Sequence, residues 1–462
     1  MTFMSFLATG EAAASALTTR KERHAVGRRL RENAKRSSQA EWNPALRRAD
    51  PIALLIAQGE RRIASLLPIR YERMAASPLA FLRGAAAVMA TDLSATTAAG
   101  LRVQSCGDCH LANFGSFASS DGIPVFDIND FDETSVAPFE WDIKRLGTSL
   151  VLAGRENDLG DGPCRALVVS AADAYQSELQ RLNRMTPLQA WSEKVDLLAT
   201  IDAIEKKSVR ERVRGILQAR LESASGNFGL VSTERKGPSL REKPPLIVRL
   251  PDHDDAIRAA FGRYLAAQPA ERAVLLGRYR LKDVIFKVVG VGSVGTFCAI
   301  GLFANADGET LLLQIKEAQD SVLAPYAGRS GYANAGERVV TGQRVMQVTP
   351  DRFLGWTHTD DAGKGEAVGR QFYVRRVKDA RLAQIGTVMQ QDELPFYAAL
   401  CGRTLARAHV RSADVAMLTG YIGKGGVFAD AIAGFSVAYA DQSEADWRAF
   451  KDALKGGRLV AG

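Results

Sequence analysis

Cysteine is scarce in this chain: five occur in 462 residues, an odd number, widely spread apart from one close pair. That argues against a disulfide framework and suits a reducing compartment, so a cytoplasmic location is expected. No basic block is interleaved with aromatics, the arrangement that single-strand binders require. The net charge of +8, from 60 Lys and Arg against 52 Asp and Glu, is modest for this length. Nucleic acid is therefore not an expected partner, although a small positive excess can attract phosphate-bearing molecules. The N-terminus, MTFMSFLATGEAAASAL, lacks basic residues ahead of its apolar ones and makes a poor signal peptide. No repeat of solenoid period is visible. The hydrophobic fraction of 46% and the charged fraction of 24% are those of an ordinary soluble globular protein, long enough for about three domains.

Long charge-free runs are also nearly missing. The exception is Val288 to Ala306, which is long enough to span a bilayer. It holds Gly290, Gly292, Gly295 and Gly301 among β-branched residues, and no aromatic-basic anchors lie beyond it. A glycine-turned strand pair is the expectation, and no membrane contact.

What the chain has is a concentration of carboxylates. Between Ser105 and Leu150 stand Asp108, His110, Asn113, Asp127, Asp130, Asp132 and Asp142. Gly107 and Gly115 flank the first group, and the apolar run Ile123 to Phe126 leads into the second. Such a run reads as a short buried strand that delivers carboxylates to a cleft edge. Clustered carboxylates repel one another, and Asp and Asn oxygens are hard ligands suited to Mg²⁺ shared with a phosphate. A plain acidic loop explains single Asp residues, but not Gly-Asp-x-His-x-x-Asn followed by a strand and more Asp.

Cys106-Gly-Asp-Cys109-His110 also matches the C-x-x-C-H pattern of c-type haem attachment. The acidic residues that follow would be strange beside a porphyrin, and export is not expected. A thioredoxin-type pair is disfavoured because Asp108 would raise the thiol pKa values.

G-D-x-H-x-x-N followed by a hydrophobic strand and D-F-D resembles the catalytic segment of the protein-kinase-like superfamily, especially its aminoglycoside-phosphotransferase-like branch. Pro138 and the Trp141-Asp142 helix start keep that branch's spacing, while Cys106 stands where its loop begins with His. More closely, the chain resembles an uncharacterised bacterial family with no established activity. Its signature is R-Y-x-R-M…S-P-x-x-F-L-R-G, C-G-D-x-H-x-x-N-F-G, N-D-F-D-E and P-F-E-W-D-x-K-R-L, and the likeness spans most of the chain.

Elsewhere, residues 1–50 are rich in Ala, Arg and Ser and read as a basic, frayed or partly helical arm. Asp50-Pro51 and Ser77-Pro78 start amphipathic helices. Arg70, Arg73 and Arg83 lie just upstream of the acidic segment, where they could reach phosphate or be ordinary surface arginines. A Pro- and charge-rich stretch, Lys236 to Asp252, looks like a boundary. Beyond it, Gly290-Val-Gly292-Ser293-Val-Gly295 is a full G-x-G-x-x-G. A dinucleotide site needs a helix directly after the glycines, whereas Thr296 to Phe303 is strand-like and Asp307-Gly308 makes a turn. A third strand, Leu311 to Lys316, ends on lysine. Strand, glycine loop, strand, turn and lysine strand resemble the kinase nucleotide hairpin. Gln371 to Lys378 resembles the strand leading to the interlobe hinge. Phe396 to His409 resembles the helix before the catalytic loop, with His409 as a packed helix-end residue.

The resemblance implies an α+β, two-lobed protein-kinase-like fold, circularly permuted, because the catalytic loop precedes the glycine loop. Residues 51–235 would form a helical lobe with the loops of 105–142, residues 236–385 a small antiparallel-sheet nucleotide lobe, and residues 386–462 helices completing the large lobe. It implies an ATP- and Mg²⁺-dependent phosphotransferase acting on a hydroxyl of a small molecule or protein. A non-catalytic nucleotide-binding regulatory module and a nucleotidyltransferase remain alternatives. Asp108 would orient or deprotonate the acceptor. Asn113 and Asp130 would hold Mg²⁺, with Asp127 and Asp132 near enough to assist. Lys316 would bind phosphates, Gly290, Gly292, Ser293 and Gly295 would cradle them, and Glu337 would hold Lys316, with Gln343 the alternative. Asp142 would brace the catalytic loop.

Overall fold

The computed structural model describes residues 17–46, 49–118, 124–222, 229–232, 237–288, 294–360, 368–377 and 391–459. Thr19 and Glu22 form a capping box that starts helix α1, Arg20–Arg29. Of the two readings of the basic arm, frayed or partly helical, this segment takes the helical one, and it is docked. Gly27 and Gly420 let α1 and a later helix approach backbone to backbone: a Cβ at either would lie 2.0 or 2.2 Å from a carbonyl oxygen of the partner. Arg31 and Arg36 then donate to the carbonyls of Gly420, Tyr421 and Ile422. Those are groups a helix end leaves unsatisfied, so the basic cluster caps a helix and does not simply face water.

Asp50 and Ser77 cap helices α2 (Pro51–Gly59) and α4 (Pro78–Gly84), each with proline at its start; α3 (Leu67–Ala75) and α5 (Ala86–Leu93) complete this layer. Strand β1 (Arg102–Ser105) pairs antiparallel with β4 (Ser135–Pro138). Between them β2 (Phe114–Ala118) and β3 (Pro124–Ile128) form their own hairpin. Helix α6 (Phe139–Glu156) is buried at every position from Phe139 to Gly154. It has no solvent-exposed face over that stretch because α7 (Asp161–Leu182) and the C-terminal helices enclose it.

The sheet lies further along the chain. In sequence come β5 (Ile247–Val248), α8 (Pro251–Ala266), β6 (Arg280–Lys287), β7 (Cys298–Ala304), β8 (Thr310–Glu317), α9 (Ala335–Met346), β9 (Gly355–His358) and β10 (Gln371–Arg376). The six strands stand in the order β9-β10-β8-β7-β6-β5 and are antiparallel throughout. One face carries an aromatic cluster, with Phe261 against Phe303 and Phe297 against Phe286 and Phe372. The other buries Ile285, Ile300, Leu302 and Leu312. With both faces covered, β7 is buried along its whole length, which is why Val288–Ala306 looks like a membrane span in hydropathy alone. Among the described residues no helix is long and apolar enough to cross a membrane.

The helical body resumes with α10 (Leu394–Val410), α11 (Val415–Ile422) and α12 (Val427–Lys455). These pack on α1, α6 and α7 around one large core that also takes in Val339, Val340 and Met346 of α9. Helix α9 thus sits between sheet and helices. The result is a mixed α+β protein whose sheet interrupts its helical part in sequence.

Candidate functional site

The loop after β1 is fixed from behind. Gly107 has φ +81°, and a Cβ there would lie 2.2 Å from the Glu133 carbonyl oxygen, so only glycine fits. The amides of Cys106 and Gly107 donate to Asp142 Oδ2 and Oδ1 at 2.7 and 3.0 Å. Asp142 sits in the first turn of α6, where a carboxylate is favoured. His409 Nε2, at the end of α10, lies 3.1 Å from Asp142 Oδ2, and the Tyr175 hydroxyl of α7 lies 2.9 Å from His409 Nδ1. Asp142 is therefore the loop's brace, and His409 is a packed residue behind it. At the far end of the loop, the Tyr397 hydroxyl donates to the carbonyls of Leu111 and Phe114.

Asn113 stitches two loops together. Its Nδ2 donates to the carbonyls of Asp108 (3.1 Å) and Asp130 (3.0 Å), and its Oδ1 accepts from the Asp130 amide at 2.7 Å. Asp130 and Asp132 then meet Lys316. The Lys316 ammonium is 3.6 Å from Asp130 Oδ2 and closer still to Asp132 Oδ2. Asp132 Oδ1 accepts from the Tyr373 hydroxyl at 2.8 Å. Burial would raise the Asp130 pKa, but the charges of Lys316 and Arg375 outweigh it and hold the carboxyl well below its usual range. For Lys316 burial favours the neutral amine, yet Asp130 and Asp132 push its pKa up, so it stays an ammonium.

The structure brings Asp108, Asn113, Asp130, Asp132 and Lys316 together, although 184 positions separate Asp132 from Lys316. It leaves others out. Asp127, expected to assist a metal, is buried in an ion pair with Arg407 and also accepts from the Ile128 amide at 2.9 Å. A carboxylate so neutralised is not an open ligand. Glu337 is not the partner of Lys316; the next residue on α9, Arg338, is the one turned to the site. It donates to the carbonyls of Asp132, Thr134 and Gln319. Gln343 instead donates to Gln347 at 2.9 Å. Gly290, Gly292 and Ser293 lie outside the described residues. Gly295 has φ +90°, and its carbonyl accepts from the Ile63 amide at 2.8 Å, while Arg62 packs beneath it. Arg70 is buried against Gln58 and the Gly84 carbonyl, and burial lowers its pKa to about 9. It holds helices together and does not face the cleft.

Asp108 carries an ion pair that the sequence reading missed. Arg145 reaches Asp108 Oδ1 at 2.6 Å and donates to the Leu82 carbonyl at 2.8 Å. Arg145 stands one turn beyond Asp142 on α6, and residues three apart share a helix face; that spacing was the available signal. His110 Nε2 is 3.7 Å from Asp108 Oδ2. Burial drives the imidazole's pKa down to about 4, against the opposing pull of Asp108, so it is neutral. Tyr373 and Arg375, also missed, alternate on β10, where β8 pairs Lys316 with Tyr373. A narrow crevice, with room for about a single water, lies behind the loop, lined by Met89, Leu93, Trp141, Leu323 and Arg145 among others.

Among the described residues, no group of three or more His, Cys, Asp or Glu is placed to hold a metal ion. What remains is Asp130, whose side chain is 43% exposed, beside Asp132. Mg²⁺ commonly takes one or two carboxylates and completes its shell with phosphates and water. The donor set fits a magnesium carried in with a nucleotide and does not fit a permanent protein cage.

Comparison with known proteins gives a family and no activity. A family model described as an uncharacterised protein conserved in bacteria (DUF2252) matches residues 62–453, and the chain belongs to that family. No curated protein and no solved structure matches it.

Proposed function

We propose that this member of the bacterial family is an ATP- and Mg²⁺-dependent phosphotransferase with a permuted, two-lobed kinase-like fold, acting in the cytoplasm. The observation that carries the reading is the contact between Lys316 and the Asp130–Asp132 pair, with Asn113 tying Asp130 to the Asp108 loop. Counted from the strand before the glycines, Lys316 lies on the third strand, and a helix follows it, as kinase-like sheets require. Five free, buried cysteines support a reducing compartment.

In this reading Asp108 takes the proton of the acceptor hydroxyl as the bond from its oxygen to phosphorus forms and the bond from the γ-phosphorus to the bridging oxygen breaks. The Asp142 brace and Asn113 keep Asp108 in position, which is most of what phosphoryl transfer asks of a protein. Asp130 and Asp132 would hold the metal, which supplies charge neutralisation for the phosphates. Lys316 and Arg375 add fixed positive charge on that side.

One observation favours a regulatory module without transfer: Arg145 already neutralises Asp108. Incubation with ATP labelled at the γ- or α-position, across a panel of hydroxyl acceptors, separates the readings. Transfer of the γ label supports the phosphotransferase, transfer of the α label a nucleotidyltransferase, and binding without transfer the module. Calorimetry should show Mg-ATP binding that Lys316→Ala weakens at least tenfold; a parent protein that binds no Mg-ATP overturns all three.

A further inference from the structure

Apart from Arg62 and Arg338, which donate to backbone carbonyls, the cations named at the site fall into two groups. Lys316 and Arg375 surround Asp130 and Asp132. Arg83 and Arg145 stand with His110 around Asp108. The first group faces the carboxylates assigned to metal and nucleotide, so the second lies where the acceptor must come.

The two arginines of that second group differ in occupation. Arg145 is buried and fully engaged by Asp108, the Leu82 carbonyl and the Met89 sulfur. Arg83 is not. Among the described residues its guanidinium makes no hydrogen bond or close ion pair, and its Nε is buried without a partner. It feels Asp108 and Glu156 only at longer range. Only Nε is closed off in this way, since the residue as a whole is half-buried, and burial lowers the Arg83 pKa. Its place is well defined, because Arg145 ties the neighbouring Leu82 carbonyl directly to Asp108. The adjacent His110 leaves its buried Nδ1 unpartnered as well. Two buried nitrogens without partners, Arg83 Nε and His110 Nδ1, thus belong to residues around the one carboxylate assigned to the acceptor hydroxyl.

We propose that Arg83 receives an anionic group of the acceptor, which makes the acceptor a hydroxyl compound bearing a phosphate or a carboxylate. The inference rests on the phosphotransferase reading for the word acceptor, but the anion site itself can be tested apart from it. A guanidinium presents a planar fork of donors that matches either anion two-pronged. Once paired, Arg83 would carry the bound molecule by its anionic end with its hydroxyl toward Asp108.

The test titrates inorganic phosphate, and in parallel acetate, into the full chain by calorimetry, with and without saturating Mg²⁺ and a non-hydrolysable ATP analogue. The expected result is one anion site that persists when the nucleotide site is filled, weakened at least tenfold in Arg83→Gln and less in Arg83→Lys, with analogue affinity changed less than twofold. The tighter of the two anions identifies the acceptor's group. Arg83 has no hydrogen bond to lose, so both variants should melt at the parent's temperature. Equal phosphate and acetate binding in parent and Arg83→Gln, or no anion binding by the parent, overturns the proposal. So does an Arg83→Gln variant that loses analogue affinity instead, since Arg83 would then belong to the nucleotide side. A parent that binds the anions through Arg83 but not the analogue sinks the nucleotide reading and leaves the anion site standing.

Discussion

The two halves of the site are held by different forces. The Asp108 loop is fixed by hydrogen bonds from buried groups: Asp142, His409 and Tyr175 in series behind it, Tyr397 and Asn113 at its end. The Asp130–Asp132 pair is held chiefly by charge, from Lys316 and Arg375, with one hydroxyl from Tyr373. A hydrogen-bonded brace in a dry interior has one geometry, because any alternative leaves a buried polar group unpaired. The Lys316 ammonium is buried, but the Asp130 side chain beside it is 43% exposed and can meet a second cation from solvent. The first arrangement suits a loop that must not move, and the second suits the carboxylates proposed to meet a metal.

Breaking the brace should therefore have the largest effect on the fold. Asp142→Ala leaves the Cys106 amide buried without an acceptor, at roughly 1–3 kcal/mol, and leaves the Gly107 amide only the Ser105 hydroxyl at 3.1 Å. Chemical denaturation should show a stability loss of that order, with Asp142→Asn losing less. A loss below about 0.5 kcal/mol would mean that water or backbone replaces the brace.

Asp130→Asn probes the other half. It should lower the denaturation midpoint at neutral pH, since the depressed pKa of Asp130 marks a stabilising charge contact with Lys316 and Arg375, and weaken Mg-nucleotide binding at least tenfold, about 1.4 kcal/mol. Calorimetry giving parent-like Mg-ATP affinity would remove Asp130 from the metal.

Acidity separates the halves again. The folded chain refuses a proton at His110 until about pH 4, while the unfolded chain takes one near 6.5. His110 therefore lowers stability progressively as the pH falls from 6.5 to 4, by up to about 1.4 kcal/mol per pH unit, and has no effect above that window. Asp130 works oppositely and lower: its depressed pKa adds stability present above the unfolded value, lost only as the pH falls through the folded one. Denaturation of His110→Gln across pH 4–7 should show a shallower slope than the parent; parallel curves count against a buried neutral imidazole.

The smallest effect is expected at Glu337. Because Lys316 is met by Asp130 and Asp132, Glu337→Gln should change Mg-ATP affinity less than about twofold. A tenfold loss would show that nucleotide binding reorders the pair so that Glu337 takes over the lysine.

These contrasts mark how far the sequence could be read. The acidic segment, the lysine strand and the Asp142 brace were legible because each is a short motif that resembles a kinase-like segment, although the residues they meet are as far as 184 and 267 positions away. The six-stranded sheet could be anticipated from the glycine turn and the strand-like runs on either side of it. What could not be read was the choice among Asp127, Asp130 and Asp132, since Arg407, 280 positions away, decides it. Nor could the phase of α9 be fixed to one residue, so Glu337 was named where Arg338 faces the site. The basic N-terminus misled for the same reason. Arg31 and Arg36 look solvated until the carbonyls of Gly420 to Ile422 are known to meet them.

The distance in sequence between Asp142 and His409 has a consequence for synthesis. A chain emerging from the ribosome presents the Asp108 loop, Asp130, Asp132 and Lys316 well before α10 and its histidine exist. During that interval the loop lacks its backing and α6 lacks two of the helices that enclose it. The growing polypeptide would thus carry a full set of reactive side chains without the means to aim them. Its competence to work would arrive in one late step, when the last helices close over α6.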